Sequence, residues 1–172
     1  MSRAIPEKLR RFYDQFSGND QVLIVINADP DAIASAMAVS RLLWRKVLNV
    51  TISHINTINR PDNLAMIRLL GVTLVPFKEI KADQFSRVVL VDSQPDHNED
   101  MAQLNPAVII DHHPDSGAKA PFIDIRPHYG ATCTILTEYL RAAKIKPSAK
   151  LATGLYHGIK TDTNDFKGQT QI

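Results

Sequence analysis

The sequence predicts an α/β domain in which a mostly parallel β-sheet is flanked by helices on both faces. Three observations point there. Continuous apolar runs rich in β-branched residues, "VLIVI" (22–26), "RVVLV" (87–91) and "AVII" (107–110), have the character of strands buried on both sides. Between them lie stretches with apolar residues at helical spacing, an alternation that goes with parallel strands joined by crossover helices. The chain has 172 residues, 44% of them hydrophobic, enough for one well-buried core and too few for two ordinary domains. Residues 1–172 are therefore expected to form a single domain, with no internal repeat, low-complexity segment or interdomain linker.

Taken in order, residues 5–16 suit a short amphipathic helix closed by the turn signal "SGND". Strand 22–26 follows, and Asp29 can then cap a helix whose first position is Pro30, where a missing N–H costs nothing. Ile33, Met37, Ser40, Trp44 and Val47 recur at helical spacing along it, leaving Arg41, Arg45 and Lys46 for water or a partner. Residues 50–55 read as a strand, 61–70 as a helix ended by Gly71, and 72–75 as another short strand. After strands 87–91 and 107–110, residues 130–143 and 147–160 suit helices, the first preceded by the loop "IRPHYG".

Composition narrows the function classes. Lys and Arg number 20 against 18 Asp and Glu, so net charge makes no case for a nucleic-acid backbone or a membrane surface as the main partner. No stretch approaches the roughly 20 apolar residues of a membrane span, and the N-terminus lacks a secretory h-region. A single cysteine, Cys133, excludes an intrachain disulfide and a thiolate zinc cluster. The expectation is a soluble, cytoplasmic protein without a membrane partner. Aspartate outnumbers glutamate 14 to 4, a bias toward caps, turns and tight ligand positions.

The aspartates fall where such sheets bind ligands. Three buried strands run directly into acids: the first into Asp29 and Asp31, "RVVLV" into Asp92, and "AVII" into Asp111 followed by His112 and His113. Asp162 lies just past the last predicted helix. The carboxyl ends of parallel strands line one crevice, so these residues can converge although they are far apart in sequence. Carboxylates brought together repel and raise one another's pKa unless a cation neutralises them. Oxygen ligands with added imidazole suit Mn²⁺ or Mg²⁺. Two such ions, typically about 3.5–4 Å apart, can share a carboxylate and assist attack on phosphorus. Alone, the D-x-D of "NADPDAIAS" is as well read as a turn or helix cap.

The four segments "NADPDAIAS", "VDSQP", "DHH" and "GIKTDT", in this order, resemble the DHH phosphoesterases, a family that includes RecJ-type exonucleases, nano-RNase/pAp phosphatases, cyclic-dinucleotide phosphodiesterases and family II inorganic pyrophosphatases. The resemblance covers residues 22–166. It implies a cytoplasmic metal-dependent hydrolase acting on a phosphate ester of a short oligonucleotide, a pAp-type nucleotide or a cyclic dinucleotide. It further implies two Mn²⁺ (or Mg²⁺) ions, with Asp29 on the first, Asp92 bridging, and Asp31, His112 and Asp162 on the second. His113 would contact the scissile phosphate, and Asp111 would orient the histidine pair. A homodimer stands as an open alternative to the monomer.

Two departures bear on this reading. The family's first motif commonly reads H-x-x-x-D-x-D, but the position four before Asp29 is Val25, which has no donor, so the first ion is expected to be weakly held. Asn27 offers only a neutral amide. Members of the nuclease and phosphatase type also continue into a smaller C-terminal substrate-binding domain, whereas this sequence ends at "FKGQTQI" soon after the fourth motif. A degenerate domain that binds nucleotide or metal in a regulatory role without turnover is the alternative.

"HYGATCT" (128–134) puts Gly130, Thr132 and Thr134 at a helix start, where free N–H groups can receive an anion or simply take an N-cap. Arg126 before it suits a phosphate contact or a surface salt bridge. His97 can supply the imidazole that Val25 lacks, or be an ordinary loop histidine. His54, His157, Cys133, Trp44 and Phe12 read as structural.

Overall fold

The run 22–26 does form a strand, β1 (Gln21–Ile26), and Val22 to Ile26 are completely buried. The computed structural model describes residues 4–167. It contains α1 (Ala4–Tyr13), β1, α2 (Pro30–Leu43), β2 (Asn49–His54), α3 (Pro61–Leu70), β3 (Val75–Pro76), β4 (Arg87–Val91), α4 (Glu99–Ala102), β5 (Val108–Asp111), β6 (Phe122–Ile125), α5 (Thr132–Ala142) and α6 (Ala149–Asp162). The reading of residues 168–172 as a chain end lies outside the described residues.

One six-stranded sheet runs in the order β3-β2-β1-β4-β5-β6, and every pairing is parallel. Alternation along β1 divides the core in two. Val22, Ile24 and Ile26 face a large cluster built with α1, α2, α3, α5 and α6. Leu23 and Val25 face a smaller one with Leu90, Met101 and Ile109, covered by α4 and connecting segments. Helices thus lie on both faces, as the sequence predicts, but unequally. The chain leaves β1 toward β2 and leaves β4 toward β5, so strand order reverses between β1 and β4. At such a switch point the carboxyl ends of adjacent strands diverge into a crevice.

Several boundaries differ from those expected. The helix expected over 5–16 stops at Tyr13, although Phe12 is fully buried, its ring edge-on to Phe16, Phe122 and Tyr139. Helix α2 ends at Leu43, where Trp44 leaves helical geometry and Arg45 takes a left-handed φ of 62° to turn the chain toward β2. Trp44 is therefore 57% exposed, lying against the guanidinium groups of Arg41 and Arg45 rather than in the core.

The strand expected over 72–75 shrinks to Val75–Pro76 because the end of α3 takes up its start. Gly71, at φ 68°, and Val72 both donate backbone N–H to the Ile67 carbonyl, which closes the helix in a left-handed cap. Strand β6 was not anticipated. Its "FIDI" hides Asp124, 2% exposed, inside the domain, so it carries no continuous apolar signal. Helix α6 runs two residues beyond expectation, placing Asp162 on its final turn rather than past it. No helix among the described residues is long and apolar enough to cross a membrane.

Candidate metal centre

Asp29 and Asp31 stand on the first turn of α2, directly at the switch point. Asp29 is the N-cap, its Oδ1 accepting from the Ala32 N–H at 2.9 Å. One residue beyond Pro30, Asp31 is completely buried and turns toward α5. Its Oδ2 accepts from the Thr132 N–H at 2.7 Å and its Oδ1 from the Cys133 N–H at 2.8 Å. The helix start, open in the sequence to an anion or to a plain N-cap, thus holds an anion of the chain itself. The Thr132 hydroxyl donates to Asp92 Oδ1 at 2.7 Å, joining the tips of β1, β4 and α5.

Asp92 follows β4 with φ 57°, a left-handed conformation that costs a non-glycine residue on the order of 1 kcal/mol or more. The strain turns its side chain into the crevice, where it is 4% exposed. Asp162 arrives from α6, which two glycines allow to press close. A Cβ on Gly158 would lie 2.8 Å from Cys133 Sγ, 3.0 Å from Asp31 Cα and 3.2 Å from the Pro30 carbonyl; one on Gly130 would lie 2.7 Å from Thr163 Cγ2.

His112 closes the cluster. A carbonyl only accepts, so the 3.1 Å contact between His112 Nδ1 and the Tyr129 carbonyl places the proton on Nδ1 and leaves Nε2 for the crevice. Nε2 is buried without a hydrogen bond, 3.2 Å from Asp162 Oδ2, 3.6 Å from Asp92 Oδ1 and 3.8 Å from Asp31 Oδ2. A basic nitrogen encircled by three carboxylates is suited to a proton or to a shared divalent cation in its place. Donor atoms of Asp31, His112 and Asp162 lie within 4.8 Å of one another, as do those of Asp92, His112 and His113. Oxygen donors with one or two imidazoles fit Mn²⁺ or Mg²⁺.

Electrostatics agree with the geometry. Burial, then the charges of Asp31 and Asp29, push the Asp92 carboxyl well above its ordinary range. Burial foremost raises Asp29 and Asp31 as well, with Asp162 adding to both. Burial works against a charged His112, but Asp162 and Asp31 beside it outweigh this and raise its pKa.

The other sequence-predicted residues form a supporting layer. Asp111 is the last residue of β5 and fully buried. Its Oδ1 accepts from the backbone N–H groups of His112 and His113 (2.8 and 3.3 Å) and from His113 Nδ1 (2.8 Å), while its Oδ2 accepts from Gln94 Nε2 (2.7 Å). Burial alone would raise Asp111, but the His113 and Gln94 hydrogen bonds hold it low. The Asp111 hydrogen bond raises the His113 pKa, and that side chain is 44% exposed. Gln94 also accepts from the backbone and hydroxyl of Ser116, fastening the loop after "DHH".

Some candidates lie elsewhere. Val25 packs in the smaller apolar cluster and Asn27 is exposed. His97 lies in the short turn Pro95–His97, edge-on to His113 at 5.3 Å and grouped with Asp111 and His113. Arg126 is not a surface pair; it is 5% exposed and bound to Asp124 and Glu138. Cys133 is buried, its thiol pKa raised well above the usual value by burial and then by Asp31. His54 Nδ1 meets the Asn56 carbonyl at 2.7 Å. Sequence reasoning missed Gln94 and Gly158, although both stand inside the quoted motifs, and gave no role to the Tyr129 carbonyl, which side-chain chemistry does not signal.

Residues 21–159 match the family model described as DHH family, N-terminal domain. The chain is 40% identical over 149 residues to uncharacterized protein MJ1633 of Methanocaldococcus jannaschii, covering 87% of this chain and 31% of that protein. It is similar in structure to an exopolyphosphatase-related protein from Bacteroides fragilis, with a TM-score of 0.70 and 16% identity over 99% of this chain and 53% of that one. The chain thus spans about a third of the curated relative and about half of the solved structure.

Proposed function

Because the chain belongs to the DHH family through its N-terminal domain, we propose that it is a divalent-metal-dependent phosphoesterase whose substrate is a phosphate ester of a nucleotide or short oligonucleotide. The observation that carries the reading is the orphaned Nε2 of His112 set among Asp31, Asp92 and Asp162. Asp31, Asp92, His112 and Asp162 would hold one ion, and Asp29 with Asp92 a second, weaker one. When bound, such ions neutralise the clustered carboxylates, make a water more acidic and draw charge from phosphoryl oxygens.

The chain's own groups supply the rest. Asp111 accepts the Nδ1–H of His113, so that in the protonated, half-exposed ring the Nε2–H is free to donate to a phosphoryl oxygen. The Asp111 hydrogen bond raises the His113 pKa, which favours that protonated form. The Thr132 hydroxyl fixes Asp92, and the α5 N-terminus fixes Asp31, so neither carboxylate must reorganise as charge develops.

The test is Mn²⁺-dependent hydrolysis of a short RNA by wild type, Asp92→Ala and His112→Ala. Losses of at least about 100-fold in both variants are expected. Equal activity in all three proteins refutes the reading.

A second reading, metal or nucleotide binding in a regulatory role without turnover, is favoured by one observation: Val25, where the family commonly has histidine, packs among Leu23, Leu90, Met101 and Ile109 and offers no donor of its own. Val25→His separates the two. A large gain in turnover marks the natural chain as impaired; an unchanged rate in an already active protein removes that alternative.

A further inference from the structure

We propose that Arg126 is a positioning residue for the metal centre, holding Tyr129 so that the Tyr129 carbonyl fixes which nitrogen of His112 faces the carboxylates. This rests on the metal-centre reading given above. Arg126 is almost wholly buried, yet a buried ion pair is a poor source of stability, since desolvation offsets most of the attraction. What its planar fork does provide is direction.

Each arm of the fork is engaged. Nε and Nη2 donate to the two oxygens of Asp124 at 3.0 and 2.7 Å, and Nη1 donates to Glu138 Oε2 at 2.6 Å. The other oxygen of Glu138 accepts from the Tyr129 hydroxyl at 2.9 Å. The guanidinium lies 4.9 Å from the centre of the Tyr129 ring. Along the backbone, the Tyr129 N–H donates to the Arg126 carbonyl and the Arg126 N–H to the Asp111 carbonyl, both at 2.9 Å. Arg126 therefore ties the "DHH" strand to the segment that carries Tyr129, touching that residue at its ring and backbone and, through Glu138, at its hydroxyl. The Tyr129 carbonyl then accepts the Nδ1–H of His112, and Nε2 is left for the ion. Outer partners of this kind set ligand tautomer and orientation, and losing one typically costs 10–100-fold in metal affinity.

Arg126→Met, Glu138→Gln and Tyr129→Phe test the role; the last two leave the Arg126–Asp124 fork in place should the first fail to fold. Lys8→Met is the control, because Lys8 pairs with Asp124 but does not touch Tyr129. Two readouts are needed: ¹⁵N shifts of the His112 ring in metal-free protein at alkaline pH, where the ring is neutral, and Mn²⁺ affinity by calorimetry. We expect wild type and Lys8→Met to show the Nδ1–H tautomer alone. Glu138→Gln and Tyr129→Phe should show a mixture and bind Mn²⁺ roughly 10–100-fold more weakly. A pure Nδ1–H tautomer with wild-type Mn²⁺ affinity in both variants overturns the role, as does an equal loss in Lys8→Met, which would mark general loosening. Failure of the wild type to bind Mn²⁺ overturns the metal-centre reading instead, and the ring shifts still decide the role of Arg126.

Discussion

The carboxylate of Asp31 caps helix α5 by accepting the Thr132 N–H at 2.7 Å, so a proposed metal ligand is also the anion that α5 was shaped to receive. The helix dipole and two N–H bonds hold the charge in place, and the same Oδ2 that accepts the Thr132 N–H lies 3.8 Å from His112 Nε2. Structure and ligand field are coupled through one side chain.

Asp31→Asn separates those roles. An amide oxygen can still accept one α5 N–H, so the metal-free protein should stay folded, with stability changed by about 1–2 kcal/mol. Saturating Mn²⁺ at about 100 times its Kd should stabilise wild type by about 2.7 kcal/mol and the variant far less. Thermal denaturation with and without Mn²⁺ checks this; equal stabilisation of both proteins contradicts it.

Gly158→Ala should run against helix propensity, which on its own favours alanine by about 1 kcal/mol. The added methyl meets Cys133 Sγ and the backbone of Asp31 and Pro30. Pushing α6 away should destabilise the domain by about 1–3 kcal/mol and weaken Mn²⁺ binding, because Asp162 rides on the same helix. Chemical denaturation and calorimetry on the variant measure the two effects separately.

Asp124 makes a pH prediction. Burial alone would raise its pKa, but hydrogen bonds from Arg126, Lys8 and Tyr139 lower it below the ordinary carboxylate value. Its contribution is therefore complete above that ordinary value, about 4, and is lost as pH falls through the lower folded one. Asp124→Asn should be less stable than wild type by several kcal/mol at pH 7, since it leaves Arg126 without its main partner. The gap should narrow as pH drops below about 4. Denaturation midpoints across pH 2–7 check the sign.

The fold and the candidate site were legible in the sequence to different depths. Central strands announce themselves because parallel strands are apolar on both faces, and Asp92 and Asp111 were placed by following those runs to their ends. Where apolar periodicity and burial part company, the reading failed. Trp44 continues the stripe of α2 but falls after the helix has turned away, and β6 was invisible because Asp124 serves a buried charge network. Arg126 read as a phosphate contact or a surface pair because nothing local reveals buried partners at Asp124 and Glu138. The Tyr129 carbonyl is a backbone group and leaves no residue-type signal at all.

If Asp31, Asp92, His112 and Asp162 share a divalent ion, anomalous scattering from crystals grown with Mn²⁺ will locate it among them. A peak bonded to His112 Nε2, about 2–2.3 Å away, with carboxylate oxygens of Asp31, Asp92 and Asp162 completing its shell, is the predicted result. Saturating Mn²⁺ with no peak at that nitrogen, or with peaks only at unrelated surface acids, would contradict it.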